Sequence, residues 1–223
     1  MLLQIPDVLK ADEIESLKRL LAKERFEDGA LTASPAAQNA KHNLQAPQGG
    51  EAARQGAPVV LNALRRAPLF FSATLPNRIQ GPLFNRYDTG MEYRDHMDTA
   101  VIQASSLMRA DIAATLFLTQ PDEYDGGELV IQDSFGAHRV KLPAGNMIVY
   151  PASSVHRVEK VTRGTRLAAV LWVESLVRDE SRRRILFDID LVIGNLSRKE
   201  PGGADAERLG SAYHNLLRVW AET

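Results

Sequence analysis

The chain contains no cysteine among its 223 residues. Disulfide bridges and thiolate metal sites are therefore excluded, and a reducing compartment is compatible with the composition. No sign of charge dominates: 27 Lys and Arg stand against 28 Asp and Glu, a formal net charge of −1. Such a balance supplies no general attraction to nucleic acid or to an anionic membrane. No stretch reaches the roughly 20 apolar residues of a membrane span, and the start, MLLQIPDVLK, has no basic segment leading into an apolar run. The expectation is a soluble, cytoplasmic protein. Internal repeats and low-complexity tracts are absent as well. What is present is ordinary: 44% apolar and 25% charged residues, enough for a full core in one domain with appendages.

Residues 12–25 place Ile14, Leu17, Leu20 and Leu21 on one helical face, with Asp12, Glu13 and Glu15 near the end where the helix dipole favours negative charge. Residues 28–58 have poor periodicity, and KHNLQAPQGG reads as a loop containing a solvated His42. A short helix is expected within 51–66. From Leu69 the pattern turns to strands: LFFSATLP, then RIQGPLFNRY broken at Gly81-Pro82, then DTGMEYRDHMD with a turn at Gly90. DIAATLFLT reads as a buried strand and PDEYDGGE as a turn. ELVIQD and AHRVKL form a hairpin, followed by MIVYP and by a second hairpin, VHRVEKV and TRLAAVLWVES, turning at Gly164. This spacing predicts a mainly β sandwich or small barrel. After Ser175 the period becomes helical, with Ile185, Ile189, Val192 and Leu196 on one face, then Leu209, Tyr213, Leu216, Leu217 and Trp220 on another. The expected division is 1–177 for the β domain with its N-terminal helices and 178–223 for a helical C-terminal subdomain. Mixed charge from Arg178 onward makes Arg182, Arg183 and Arg184 a solvated face.

Within GMEYRDHMDTA, His96 and Asp98 are two apart. On an extended backbone that spacing delivers an imidazole and a carboxylate to the same side, while Asp95 points away. A metal needing a third protein ligand has a candidate in His156; His138 reads as an exposed strand residue and His214 as a helix-surface one. Two histidines and one carboxylate leave open positions suited to a non-haem Fe(II) oxygenase. The zinc-hydrolase alternative would present HExxH on a helix, which is absent. Arg166 adds a planar guanidinium that could grip a dicarboxylate cosubstrate near the metal. Arg86, Arg94 and Arg157 read as solvated surface arginines.

These residues, together with IPDVL, KHNLQ, FNRYDTGMEYRDHMD, DGGELVI, GNMIVYPASSVHRVEKVTRGTR and the tail from SLVRDE, resemble the Fe(II)/2-oxoglutarate-dependent dioxygenases of the prolyl 4-hydroxylase-like group. More narrowly, nearly the whole chain looks like the bacterial PKHD-type hydroxylases, a set associated with iron uptake. The resemblance implies a double-stranded β-helix, or jelly roll. It implies Fe(II) held by His96, Asp98 and His156, and 2-oxoglutarate held by Arg166 with Tyr87 as a second donor. Tyr93 and Trp172 would form the pocket wall, and ascorbate could assist. The implied reaction hydroxylates a peptide side chain or an iron-related small molecule, releasing succinate and CO2. A non-catalytic 2-oxoglutarate or iron sensor is the alternative, as is a partner-binding module. A homo-oligomer through the C-terminal helices is compatible with either.

Overall fold

Strands with apolar residues on both faces must be covered on both sides, and that requirement organises the fold. The protein is described by a computed structural model covering residues 1–32, 38–103 and 106–222. Its first part runs β1 (Leu3–Ile5), α1 (Ala11–Lys23), β2 (Glu27–Asp28), β3 (Lys41–His42), β4 (Leu44–Gln45), α2 (Ala57–Arg65) and α3 (Pro68–Thr74). The central part begins β5 (Pro76–Asp88), β6 (Glu92–His96), β7 (Val101–Gln103), β8 (Leu107–Arg109), β9 (Ile112–Phe117) and β10 (Tyr124–Gly126). It continues β11 (Leu129–Asp133), β12 (Gly136–Val140), β13 (Met147–Pro151), β14 (His156–Val158) and β15 (Val161–Ser175). Helices α4 (Glu180–Lys199) and α5 (Ala204–Trp220) follow.

The larger sheet is ordered β1-β13-β9-β15-β5-β4-β2, with β10 also on β15; the smaller is β12-β11-β14-β6-β3. The two face each other as the mainly β jelly roll with flanking helices that the strand spacing and the resemblance predict. Strand β9 shows why. All six of its residues are buried. Ile112, Ala114 and Leu116 pack with Leu17, Leu21, Val60, Leu64 and Phe70 under the N-terminal helices. Ala113 and Phe117 pack with Leu129, Ile131 and Val140 between the sheets. Burying each large side chain of this kind stabilises the fold by roughly 1.5–3 kcal/mol. The expected α1 face is the one that packs, and Tyr213, Leu216, Leu217 and Trp220 of α5 cover Leu75, Val177 and Leu186.

The structure corrects several expectations. LFFSATLP is not a strand: Phe70, Ala73 and Thr74 fall on one buried helical face of α3, and Pro68 sits in its first turn, where its missing N–H is harmless. Gly81-Pro82 does not interrupt β5, which pairs with β15 on both sides of it. The PDEYDGGE turn contains β10, which pairs with β15. KHNLQ is no loop. Its strands β3 and β4 pair with β6 in the smaller sheet and β5 in the larger, so five residues tie the two sheets together. Of the remaining 28–58 segment, residues 33–37 lie outside the described residues.

Gly164 does not turn the chain. β14 belongs to the smaller sheet and β15 runs straight through Gly164 in the larger, so the crossing falls at Glu159 and Lys160. Gly164 has a φ of 74°, and a Cβ there would come within 2.3 Å of the Glu123 carbonyl oxygen. The glycine permits close approach to β10 rather than a reversal. Arg166 therefore lies across from the His156 strand, not beside it. In α4 the expected face points outward, with Ile185 and Val192 each 46% exposed. The helix is rotated so that Arg183, Leu186 and Phe187 are buried, and Arg183 Nη1 donates to the carbonyls of Val177 and Arg178, both at 2.7 Å. A cation satisfying the carbonyls of the β15–α4 connection, with Leu186 and Phe187 buried beside it, accompanies this rotation.

Candidate active site

β6 and β14 are neighbours in the smaller sheet, and His96 and His156 are direct register partners on them. Their ring centroids are 4.2 Å apart. β6 ends at His96, and the chain beyond it carries Asp98 round to the same point. One donor atom each from His96, Asp98 and His156 lies within 4.8 Å of the others. Both histidines are oriented alike. Nδ1–H of His96 donates to the Arg94 carbonyl at 2.8 Å, and Nδ1–H of His156 to the Ser154 carbonyl at 3.0 Å. A carbonyl only accepts, so each Nε2 keeps its lone pair free. Burial, reinforced by His156, lowers His96 to about 3, which keeps it in the neutral form that binds metals. Trp172 Nε1–H donates to Asp98 Oδ2 at 2.9 Å, and the Tyr93 ring stacks on His96 at 3.4 Å between centroids. Asp95 points away, as expected, and pairs with Arg157 at 3.2 Å.

Arg166 reaches the same cavity from the opposite sheet. It is 2% exposed, its Nε has no hydrogen-bond partner, and it forms no ion pair with any described residue. Tyr87 is its register partner on β5, and its guanidinium lies 5.3 Å from the Tyr87 ring centroid and 5.2 Å from that of Phe117. Gly127, at a φ of 67°, makes room for it: a Cβ there would come within 3.1 Å of Arg166 Cδ. The Tyr124 hydroxyl faces Arg166 and is likewise buried without a hydrogen-bond partner of good geometry among the described residues. Burial pushes the Tyr87 phenol up to about 12, with Arg166 pulling it back, so it stays a donor at neutral pH. A buried, unpaired guanidinium is costly, and an incoming carboxylate satisfies it. The donor set and this unfilled cation thus fit a divalent metal with a carboxylate-bearing ligand beside it.

The cavity holding these groups measures about 460 Å³. All seven residues picked out from the sequence, His96, Asp98, His156, Arg166, Tyr87, Tyr93 and Trp172, line it. His42 and His138 do not; His138 Nε2 is held by Asp133 at 2.8 Å on the edge strand. Sequence reasoning missed Tyr150, whose phenol is pushed up by burial and by Asp98, and Thr115 beside it. It also missed Lys41 and Gln45, which line the cavity from KHNLQ. No periodicity in that segment could have found them, because β3 and β4 are two residues each and belong to different sheets.

Residues 82–174 match the model of the 2OG-Fe(II) oxygenase superfamily, and residues 180–222 match the PKHD-type hydroxylase C-terminal domain. A PKHD-type hydroxylase of Methylobacterium nodulans is 51% identical over 226 residues, and one of Hyphomonas neptunium is 48% identical over 225. In both cases all of this chain and all of the relative are covered. The fold resembles the crystal structure of a Pseudomonas putida prolyl-4-hydroxylase, with a TM-score of 0.52 at 22% identity over 78% of this chain and 92% of that one. The 2OG-Fe(II) oxygenase superfamily uses Fe(II) and 2-oxoglutarate. The chain belongs to the PKHD-type hydroxylases of the 2OG-Fe(II) oxygenase superfamily.

Proposed function

We propose that the chain hydroxylates a C–H bond of a small molecule or peptide side chain, with His96, Asp98 and His156 holding Fe(II) and Arg166 holding the far carboxylate of 2-oxoglutarate. The observation that carries this reading is the joint presence, in one cavity, of three converging donor atoms and a buried guanidinium without an acidic partner. When bound, Fe(II) and 2-oxoglutarate supply oxygen activation and the oxidising power for hydroxylation, with succinate and CO2 as products.

The protein's own contribution is position and exclusion of water. The two backbone carbonyls fix the imidazole tautomers, so both Nε2 atoms present lone pairs without rearrangement. Trp172 holds the Asp98 carboxylate in place, and the Tyr93 ring fixes the plane of His96. Arg166 and the neutral Tyr87 hydroxyl orient the cosubstrate's remote end in a dry region where a charge-assisted hydrogen bond is strong. Removing the indole donor in Trp172→Phe is expected to weaken metal affinity about 10- to 100-fold with the fold intact. Competition with a fluorescent chelator reads the affinity, and an unchanged value removes Trp172 from the site's support.

The function is tested by supplying reduced, iron-replete protein with ascorbate, labelled 2-oxoglutarate and a library of metabolites and peptides. The expected result is Fe(II)-dependent labelled succinate, coupled to a mass gain of about 16 daltons in one substrate class. No succinate above the metal-free control with any library member would overturn the reading.

A further inference from the structure

Lys41 also faces the cavity, and neither the metal nor the cosubstrate accounts for it. Its side chain is partly buried. Its Nζ donates to Thr32 Oγ1 at 2.9 Å and Gln45 Oε1 at 3.2 Å, both neutral acceptors. That leaves the third ammonium N–H without an acceptor, and Lys41 forms no ion pair, among the described residues. The ammonium lies 5.6 Å from the centroid of Tyr93, whose other neighbour in the stack is His96. It therefore stands one aromatic ring away from the metal-site histidine, and β3 holds it there through the register pairing of Lys41 with Tyr93.

The charges in the cavity do not balance. Lys41 and Arg166 are its cations and Asp98 its carboxylate, among the described residues. Fe(II) and the doubly negative 2-oxoglutarate cancel each other, so one positive charge remains in excess with or without them. Both cosubstrate carboxylates also have places already, one at the metal and one at Arg166. Burial lowers the Lys41 ammonium to about 8, with Asp98 and Asp28 holding it up, so it is charged at neutral pH but stripped of part of its hydration. An anion arriving there restores what burial removed.

We propose that Lys41 is the specificity-determining residue of this site and holds a carboxylate on the molecule that is hydroxylated. Gln45 and Thr32 orient the ammonium, and Gln48, Gln80 and Gln103 line the same cavity as neutral hydrogen-bonding groups for the rest of that molecule. Exposed Leu31, Met97 and Val101 form its apolar mouth. The proposal rests on the oxygenase reading above.

The test uses full-length protein loaded anaerobically with Mn(II) and 2-oxoglutarate, and a panel of N-acetyl amino acids each paired with its primary amide. Binding is read by water-proton relaxation and by the shift in melting temperature. At least one acid is expected to bind about 10- to 100-fold more tightly than its amide, the size of one charge-assisted hydrogen bond. Lys41→Met is expected to lose that preference and Lys41→Arg to keep most of it, with the 2-oxoglutarate Kd of both within about twofold of wild type. A panel in which no acid outbinds its amide overturns the proposal, as does a preference that survives in Lys41→Met. A Lys41→Met protein that loses 2-oxoglutarate instead assigns the lysine to the cosubstrate and overturns it too. Failure of the oxygenase reading is distinguishable, because wild-type protein would then bind no 2-oxoglutarate at all in the presence of Mn(II).

Discussion

His156→Ala is expected to yield folded protein that retains no Fe(II) at this site and releases no succinate from 2-oxoglutarate. His156 sits on β14, between β11 and β6, and is 5% exposed. Its Nε2 lies 3.9 Å from Asp98 Oδ2, so a single ion can touch both. Deleting the ring leaves one imidazole and one carboxylate, too few to outcompete water for a divalent ion. Loss of a supporting group outside the coordination shell already costs about 10- to 100-fold in affinity, so loss of a ligand exceeds that range. The alanine leaves β14 extended and paired, and the vacated space opens into the cavity of about 460 Å³ rather than a sealed core, so the stability cost is expected to stay below that of a sealed-core truncation. Equilibrium dialysis with metal analysis measures the first effect and labelled succinate the second. His138→Ala is the control: that ring is exposed and paired with Asp133, and its removal leaves both quantities unchanged. Stoichiometric iron in His156→Ala, with turnover within tenfold of wild type, would remove it from the site.

The second large effect belongs to Arg166→Met and separates binding from stability. A buried guanidinium without a carboxylate is a penalty in the ligand-free protein, and one that 2-oxoglutarate would relieve under the proposed function. Methionine fills similar space without charge. The ligand-free variant is therefore expected to melt no lower than the ligand-free wild type, although a buried residue has been replaced. In wild type, 2-oxoglutarate at 100 times its Kd adds about 2.7 kcal/mol of stability in the presence of Mn(II). In Arg166→Met that increment is expected to vanish, because the far carboxylate has lost its charged partner and faces an apolar wall. Thermal or urea denaturation, run with and without Mn(II) and 2-oxoglutarate, reads both quantities. If the ligand increment persists in the variant, Arg166 does not hold the cosubstrate. If the ligand-free variant is instead destabilised by several kcal/mol, the arginine serves packing.

How much of this was readable from residues alone follows from the range of the interactions involved. His96 and Asp98 were legible as a pair two apart, but not as one strand face: β6 ends at His96, and the chain beyond it brings Asp98 back to the same point. His156 lies about 60 residues away, beyond the reach of spacing; it stands out as the candidate histidine of the later strands, and the resemblance then implies it as a ligand. Arg166 lines the cavity with the other candidates but was put on the wrong strand pair, since nothing local distinguishes a hairpin at Gly164 from a crossing between sheets at Lys160. The glycine's real neighbour, Glu123, is about 40 positions away. Lys41 and Gln45 escaped notice because β3 and β4 are two residues each, too short for periodicity, and exist only through pairing with β6 and β5. LFFSATLP misled through composition: aromatic and β-branched residues favour strands on average, but here burial at helical spacing beneath α4 overrides the preference. In α4 the expected apolar stripe lost to a face combining Leu186 and Phe187 with Arg183, whose contacts to the Val177 and Arg178 carbonyls no periodicity count includes.

The tie between the sheets made by Lys41–Gln45 has a kinetic consequence. It closes one side of the sandwich, and the cavity then runs from the exposed Leu31, Met97 and Val101 inward to Arg166, which is 2% exposed. A molecule seated against Lys41 stands across the route to Arg166. If Arg166 holds the cosubstrate and Lys41 the substrate, loading is expected to be ordered, cosubstrate before substrate, with a substrate that arrives first forming a dead-end complex. Initial-rate measurements should show excess substrate inhibiting at low 2-oxoglutarate and the inhibition disappearing as 2-oxoglutarate is raised. Random-order kinetics would mean that a second entrance exists.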